Sequence, residues 1–126
     1  MNQKPGDRAA VRAGLIRCGK LDIEFAELAE SRRKFGASGY DDRSAELAEA
    51  RDAIFAALNG LNYVTRQALC WHYLHGKSWE WVGENLHFSP SRVRAIATEG
   101  LDQLVPLLKS NSAVWAFCTS AENGKN

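Results

Sequence analysis

Residues 78–96 read SWEWVGENLHFSPSRVRAI, and this stretch decides the predicted fold. In its first half, Val82 and Leu86 are four residues apart, as on the buried side of a short helix. In its second half, Ser89 followed by Pro90 is typical of a helix start, an N-cap with a proline in the first turn. The pattern predicts two short helices joined by a tight turn, the layout of a helix-turn-helix.

The second helix of this pair has an apolar side and a polar side. Its apolar positions continue beyond the quoted stretch to Leu101 and Leu104, so the polar positions are left for a partner. A recognition helix enters the DNA major groove through its N-terminal turns, where arginine bonds guanine edges or phosphates. The candidate DNA contacts on this helix are Ser91, Arg92, Arg94, Ala95 and Thr98. Lys77, just before the first helix, is a further candidate for a phosphate contact.

The flanking sequence predicts further helices and no strands, so the fold class is all-α. Residues 1–61 predict a helical hairpin, with one helix in the segment from about Arg8 to Phe35, whose start Gly14 and Gly19 leave open, and a second from Asp41 to Leu61. Residues 62–110 predict the three-helix unit that contains the helix-turn-helix, and residues 111–126 a C-terminal segment whose last part, 119–126, is a disordered tail. The three-helix unit begins with a helix that Asn62 caps and Gly76 stops. Its second helix is capped by Ser78, and its last helix ends near Leu108.

Composition limits the classes of protein that fit. The chain has 126 residues, 45% of them hydrophobic and 25% charged, which suits one globular domain. Its apolar runs are too short for a membrane helix, and its first residues lack the apolar core of a signal peptide. Three cysteines make a disulfide framework improbable, so we expect a cytoplasmic protein. The net charge of +1 gives no bulk preference for nucleic acid, so a basic surface has to be local.

Metal, cofactor and enzyme chemistry have little support in the sequence. Cys70 and His72 lie on opposite sides of a helix, and His72 with His75 supplies only two ligands. His87 and Ser89 lack an orienting third group. We therefore expect no metal, no cofactor and no catalytic residues. The four tryptophans are expected to pack against the core, since no basic groove accompanies them.

Three pieces of residues 61–108 resemble region 4 of bacterial sigma factors, the domain that reads the −35 promoter element. Residues 66–73, RQALCWHY, resemble the family's Arg-x-Val-Leu-x-Leu-Arg-Tyr helix. Residues 78–86 resemble its Ser/Thr-x-x-Glu-Ile-Ala-x-x-Leu helix, and residues 89–96 its Ser-x-x-x-Val-Arg-x-Ile recognition helix. The resemblance implies a sigma region 4-like fold in which the last helix contacts DNA.

The chain also departs from the sigma pattern. The family usually has Glu and Gln where this chain has Ser91 and Ala95, so the resemblance does not imply −35 specificity. Arg94 matches the family's base- or phosphate-contacting arginine. His87 replaces the usual turn glycine, which predicts a slightly different turn, and Trp81 replaces an acidic residue.

The whole chain resembles small phage and prophage regulators of the RinA/ArpU type. The resemblance rests on the helical hairpin, on Leu-Asn-Tyr at 61–63 and on Ser-Trp-Glu at 78–80. It implies control of phage late transcription through binding of double-stranded DNA. Separately, a homodimer formed through the hairpin or the Trp115 segment would use two half-sites about one DNA turn apart, and the sigma-like unit makes RNA polymerase a candidate partner. Two alternatives stay open: a phage DNA-packaging recognition protein, and a sigma-like interaction module that binds RNA polymerase.

Overall fold

The computed structural model describes residues 5–36 and 40–123, and the regular structure within them is entirely helical. The helices are α1 (Pro5–Gly19), α2 (Leu21–Phe35), α3 (Tyr40–Asn59), α4 (Tyr63–Leu69), α5 (Trp79–Leu86), α6 (Pro90–Lys109) and α7 (Ser112–Asn123). A π-helical turn, Cys70–Leu74, continues α4. The all-α prediction is confirmed. Among the described helices, none combines the length and the apolar character needed to cross a bilayer.

The three predicted caps of the second half of the chain are confirmed. Asn62, Ser78 and Ser89 each accept a hydrogen bond from the backbone N–H three residues later, at 3.0, 3.0 and 3.2 Å. Each cap satisfies a backbone donor that the first turn of its helix leaves without a partner. Gly76, which is predicted to stop the helix before Lys77, has a φ of +72°, a conformation that suits glycine. These local signals fix where α4, α5 and α6 begin.

The segment from about Arg8 to Phe35 forms two helices, α1 and α2, where the sequence predicts one helix whose start it leaves open. Lys20, between them, has φ −117° and ψ 16°, outside the helical region. Gly19 ends α1 directly against the π-helical turn. A Cβ placed on it would lie 2.3 Å from the carbonyl oxygen of Leu74. The break therefore lies where α1 meets another part of the chain.

Helix α1 lies at the centre of the fold. It packs along α7 and also contacts α6, α3 and the π-helical turn. Its buried face consists of Ala10, Val11, Leu15 and Cys18, none of which is more than 6% exposed. The approach of α7 is close because Gly14 has no side chain: a Cβ there would lie 2.4 Å from the Sγ atom of Cys118.

One hydrophobic cluster contains buried residues from each of the three predicted segments, 1–61, 62–110 and 111–126. In the first segment, α2 packs against α3, as expected for the predicted hairpin, while α1 packs on helices of the other two segments. The division of the chain into three domains, at 1–61, 62–110 and 111–126, stays a prediction.

The C-terminal segment is more ordered than the sequence predicts. Helix α7 continues to Asn123, so residues 119–123 are helical and not the start of a disordered tail. Val114, Phe117 and Cys118 bury one side of α7 against α1 and α3. Residues 124–126 of the predicted tail lie outside the described residues.

Replacing Gly19 with alanine should destabilise the fold. The new Cβ meets the backbone of Leu74, which has little freedom to move, and overpacking of this kind costs about 1–3 kcal/mol. Gly6→Ala in the same helix is the matched control, because a Cβ there meets no atom within 4 Å. Urea unfolding should show a loss for Gly19→Ala and no loss for Gly6→Ala. Equal midpoints for the two variants would contradict the contact.

The buried thiols should be unreactive in the native protein. Burial raises the pKa of Cys18 to about 11 and that of Cys118 to about 12, so both stay protonated at pH 8. Burial also raises the pKa of the half-buried Cys70. A colorimetric disulfide reagent at pH 8 should therefore react slowly with the native chain and rapidly with three thiols in denaturant. Rapid native reaction of Cys18 or Cys118, located by mass spectrometry, would contradict this packing.

Candidate nucleic-acid interface

Helices α5 and α6 pack against each other across the three-residue turn His87–Ser89. From α5, Val82 and Leu86 are buried in the contact, and from α6, Val93 is fully buried. Helix α4 packs on the other side of α6. The N-terminal half of α6 thus has a supported inner side and a free outer side.

The turn before α6 is held by backbone contacts at Gly83. The carbonyl oxygen of Gly83 accepts hydrogen bonds from the N–H groups of His87 and Phe88. A Cβ on Gly83 would lie 2.6 Å from the carbonyl oxygen of Phe88, so the chain needs a glycine at this position. His87 itself takes the left-handed conformation, with φ 66° and ψ 42°, which glycine usually adopts at a helix end.

Most of the predicted contact residues of α6 lie together on its outer side. Ser91, Arg94, Ala95 and Thr98 line one shallow depression with Glu99 and Asp102. One side of the helix is shared by positions 91, 95, 98 and 102, because they are spaced by four, three and four residues. We call the side formed by Ser91, Arg94, Ala95, Thr98 and Asp102 the outer face of α6.

Arg92 and Arg94 are exposed, and neither forms an ion pair or side-chain hydrogen bond with a residue that the structure describes. The alternative partners suggested by the sequence are Glu99 and Asp102. The carboxylate of Asp102 is instead bonded by Arg8, with two N–O distances of 2.9 Å. Both arginines of α6 therefore present a cation to solvent near the start of the helix.

Lys77 is exposed but lies apart from the outer face. It precedes α5, which is eight residues or roughly 12 Å long, and the turn to α6 is at the far end of that helix. Its Nζ atom is 5.0 Å from the ring centroid of Trp81. Its carbonyl oxygen accepts from Nδ1–H of His72 at 2.6 Å. These contacts fix Lys77 at the start of α5.

The tryptophans pack as expected. Trp71, Trp79, Trp81 and Trp115 are half-buried and lie against the hydrophobic core. Trp71 and Trp81 meet edge to face with their centroids 5.3 Å apart, while Trp79 stacks on His72 at 3.5 Å. This arrangement stabilises the start of α5 rather than offering an open row of rings for bases.

Arg8 is the residue near the outer face that sequence reasoning missed. It is 94 residues from Asp102 in the chain, and no local pattern links the two. Across residues 5–36 and 40–123, the structure contains no group of three His, Cys, Asp or Glu side chains that could hold a metal ion.

Replacing His87 with glycine should stabilise the protein. The left-handed conformation costs a non-glycine residue about 1–2 kcal/mol, and glycine removes most of that cost. Glycine also raises the conformational entropy of the unfolded chain, which offsets part of the gain. We expect a net gain of about 0.5–1 kcal/mol in urea unfolding. Glu84→Gly, at an exposed helical position of α5, should lose about 1 kcal/mol. A loss of stability in both variants would argue against the left-handed turn.

No protein-family model, curated protein or solved structure matches the chain. The candidate interface therefore rests on the geometry of α5, α6 and the turn between them.

Proposed function

We propose that the protein binds double-stranded DNA in a sequence-specific manner, as a transcription regulator of a phage or prophage. In this proposal α5 and α6 act as a helix-turn-helix similar to that of sigma region 4, and the N-terminal half of α6 enters the major groove. RNA polymerase is a further partner that the sigma resemblance suggests.

The observation that carries the proposal is the pair of exposed arginines at the start of α6. Arg92 and Arg94 have no ion-pair partner among the described residues, whereas Arg8, Arg17, Arg33, Arg43 and Arg51 each pair with a carboxylate. A guanidinium without a protein partner is available to bond guanine edges or phosphate oxygens. We assign Arg94 to base or phosphate contact and Arg92 to the neighbouring phosphates.

Three other outer-face residues, Ser91, Ala95 and Thr98, suit groove contact because they are small or short. Ser91 offers a hydroxyl and Ala95 a methyl group that fits against a thymine methyl. The Thr98 hydroxyl donates to the Arg94 carbonyl oxygen at 3.0 Å, so it faces back along the helix, and its methyl group is left for contact. Lys77, at the start of α5, is assigned to the DNA backbone.

Rigid support of α6 also favours this function, because a reading helix needs fixed side-chain positions. A Cβ on Gly100 would lie 2.5 Å from Cγ2 of Thr65, so α4 and α6 are in close contact behind the outer face. Val93, Ala97 and Leu101 are fully buried on the same inner side.

DNA binding can be measured by fluorescence anisotropy at two salt concentrations. The two probes are the duplex upstream of the protein's own coding sequence and a scrambled duplex of equal length. We expect preferential binding to the first, weakening steeply with salt as counterions are released from contacted phosphates. Equal, weak binding to both probes would contradict the proposal, and recovery of RNA polymerase subunits without DNA would then favour the interaction module.

Arg94→Ala tests the assignment of α6. Loss of one good arginine contact costs about 1–3 kcal/mol, which corresponds to roughly 5- to 150-fold in affinity for the preferred site. Arg43→Ala is the matched control, because it removes an exposed arginine from α3, away from the outer face. The control should bind within about twofold of the wild type. Equal affinities for the two variants would remove α6 from the interface.

A further inference from the structure

Two carboxylates, Glu99 and Asp102, line the depression on the outer side of α6, and Asp102 is the one in line with the candidate DNA contacts. Asp102 follows Thr98 by four residues, and it lines the same depression as Ser91 and Arg94. A carboxylate on a face that approaches DNA is repelled by the phosphates, and the repulsion is long-ranged at low salt. On its own, Asp102 would oppose the approach that Arg94 favours.

Arg8 of α1 neutralises this carboxylate directly. Its Nε and Nη2 atoms donate to the two carboxylate oxygens of Asp102, both at 2.9 Å, in the two-pronged geometry typical of strong arginine–carboxylate pairs. The side chains are 44% and 36% exposed, so the pair lies at the surface and is not part of the core.

Neighbouring contacts hold α1 where Arg8 can reach α6. Lys109 Nζ, near the end of α6, pairs with Asp7 Oδ2 at 3.1 Å. Two and three residues after Arg8 in α1, Ala10 and Val11 are buried in the core. The backbone of Arg8 is thus fixed by packing on one side and by a second ion pair beside it.

We propose that Arg8 is part of the DNA interface: it cancels the charge of Asp102 and so lets the whole outer face approach a phosphate backbone. This inference rests on the proposed function and adds to it, since it brings the N-terminal helix into the interface. The ligand is the same duplex DNA, and the added element acts through charge rather than through reading of bases.

The test is a set of three variants in the same anisotropy assay at low and moderate salt. Arg8→Ala should weaken binding to the preferred duplex by about fivefold at low salt, and by less as salt screens the charge. Asp102→Asn alone should bind at least as tightly as the wild type. The double variant Arg8→Ala with Asp102→Asn should return to within about twofold of the wild type, because position 102 then carries no charge for Arg8 to neutralise.

The matched control is Arg43→Ala, which breaks the exposed Arg43–Glu46 pair on α3 and also leaves a carboxylate behind. Its affinity should stay within about twofold of the wild type. Thermal unfolding should show Arg8→Ala and Arg43→Ala within about 5 °C of the wild type, since exposed pairs contribute little stability. If Arg8→Ala stays folded but loses DNA binding, the loss is then an effect of the changed charge and not of unfolding.

Three results would overturn the inference while leaving the proposed function standing. One is an Arg8→Ala affinity equal to that of the control while Arg94→Ala loses binding. Another is a double variant as weak as Arg8→Ala, which would make Arg8 a direct DNA contact or a positioning residue. The third is a weaker Asp102→Asn, which would make Asp102 a base contact. Failure of the wild type to prefer its duplex would overturn the proposed function, and this inference with it.

Discussion

The close contact of α1 with the second half of the chain is the constraint on which the structure depends. Gly14 lets α7 approach, and Gly19 lets the π-helical turn after α4 lie against the end of α1. A side chain at either position would hold these elements apart. Because α1 also buries Val11 and Leu15 completely, it joins the two halves of the chain in one hydrophobic core.

The position of α1 also shapes the electrostatics of α6. The chain has a net charge of only +1, so any affinity for DNA depends on where its charges lie. Arg92 and Arg94 lie near the N-terminal end of α6, and Asp102 is about three helical turns from Ser91. The pairing of Arg8 with Asp102 neutralises that carboxylate, while the positive charges of Arg92 and Arg94 are kept.

The helical fold class and the starts of α4, α5 and α6 can be predicted from the sequence alone. These features depend on short-range physics: a cap side chain bonds a backbone N–H three residues away, and helical spacing repeats within a few residues. Asn62, Ser78 and Ser89 were identifiable for this reason. The polar side of α6 was identifiable as well, because buried Val93 and Leu101 leave Ser91 and Ala95 outside.

Other features of the fold depend on contacts between residues far apart in the chain, and these contacts form only when the helices pack together. The end of α1 at Gly19 follows from the position of Leu74, and the helical continuation of α7 past residue 118 follows from its packing on α1 and α3. The pairing of Arg8 with Asp102 joins residues 94 apart. Sequence patterns carry no signal for such contacts, because each depends on how whole helices pack and not on the spacing of neighbouring residues.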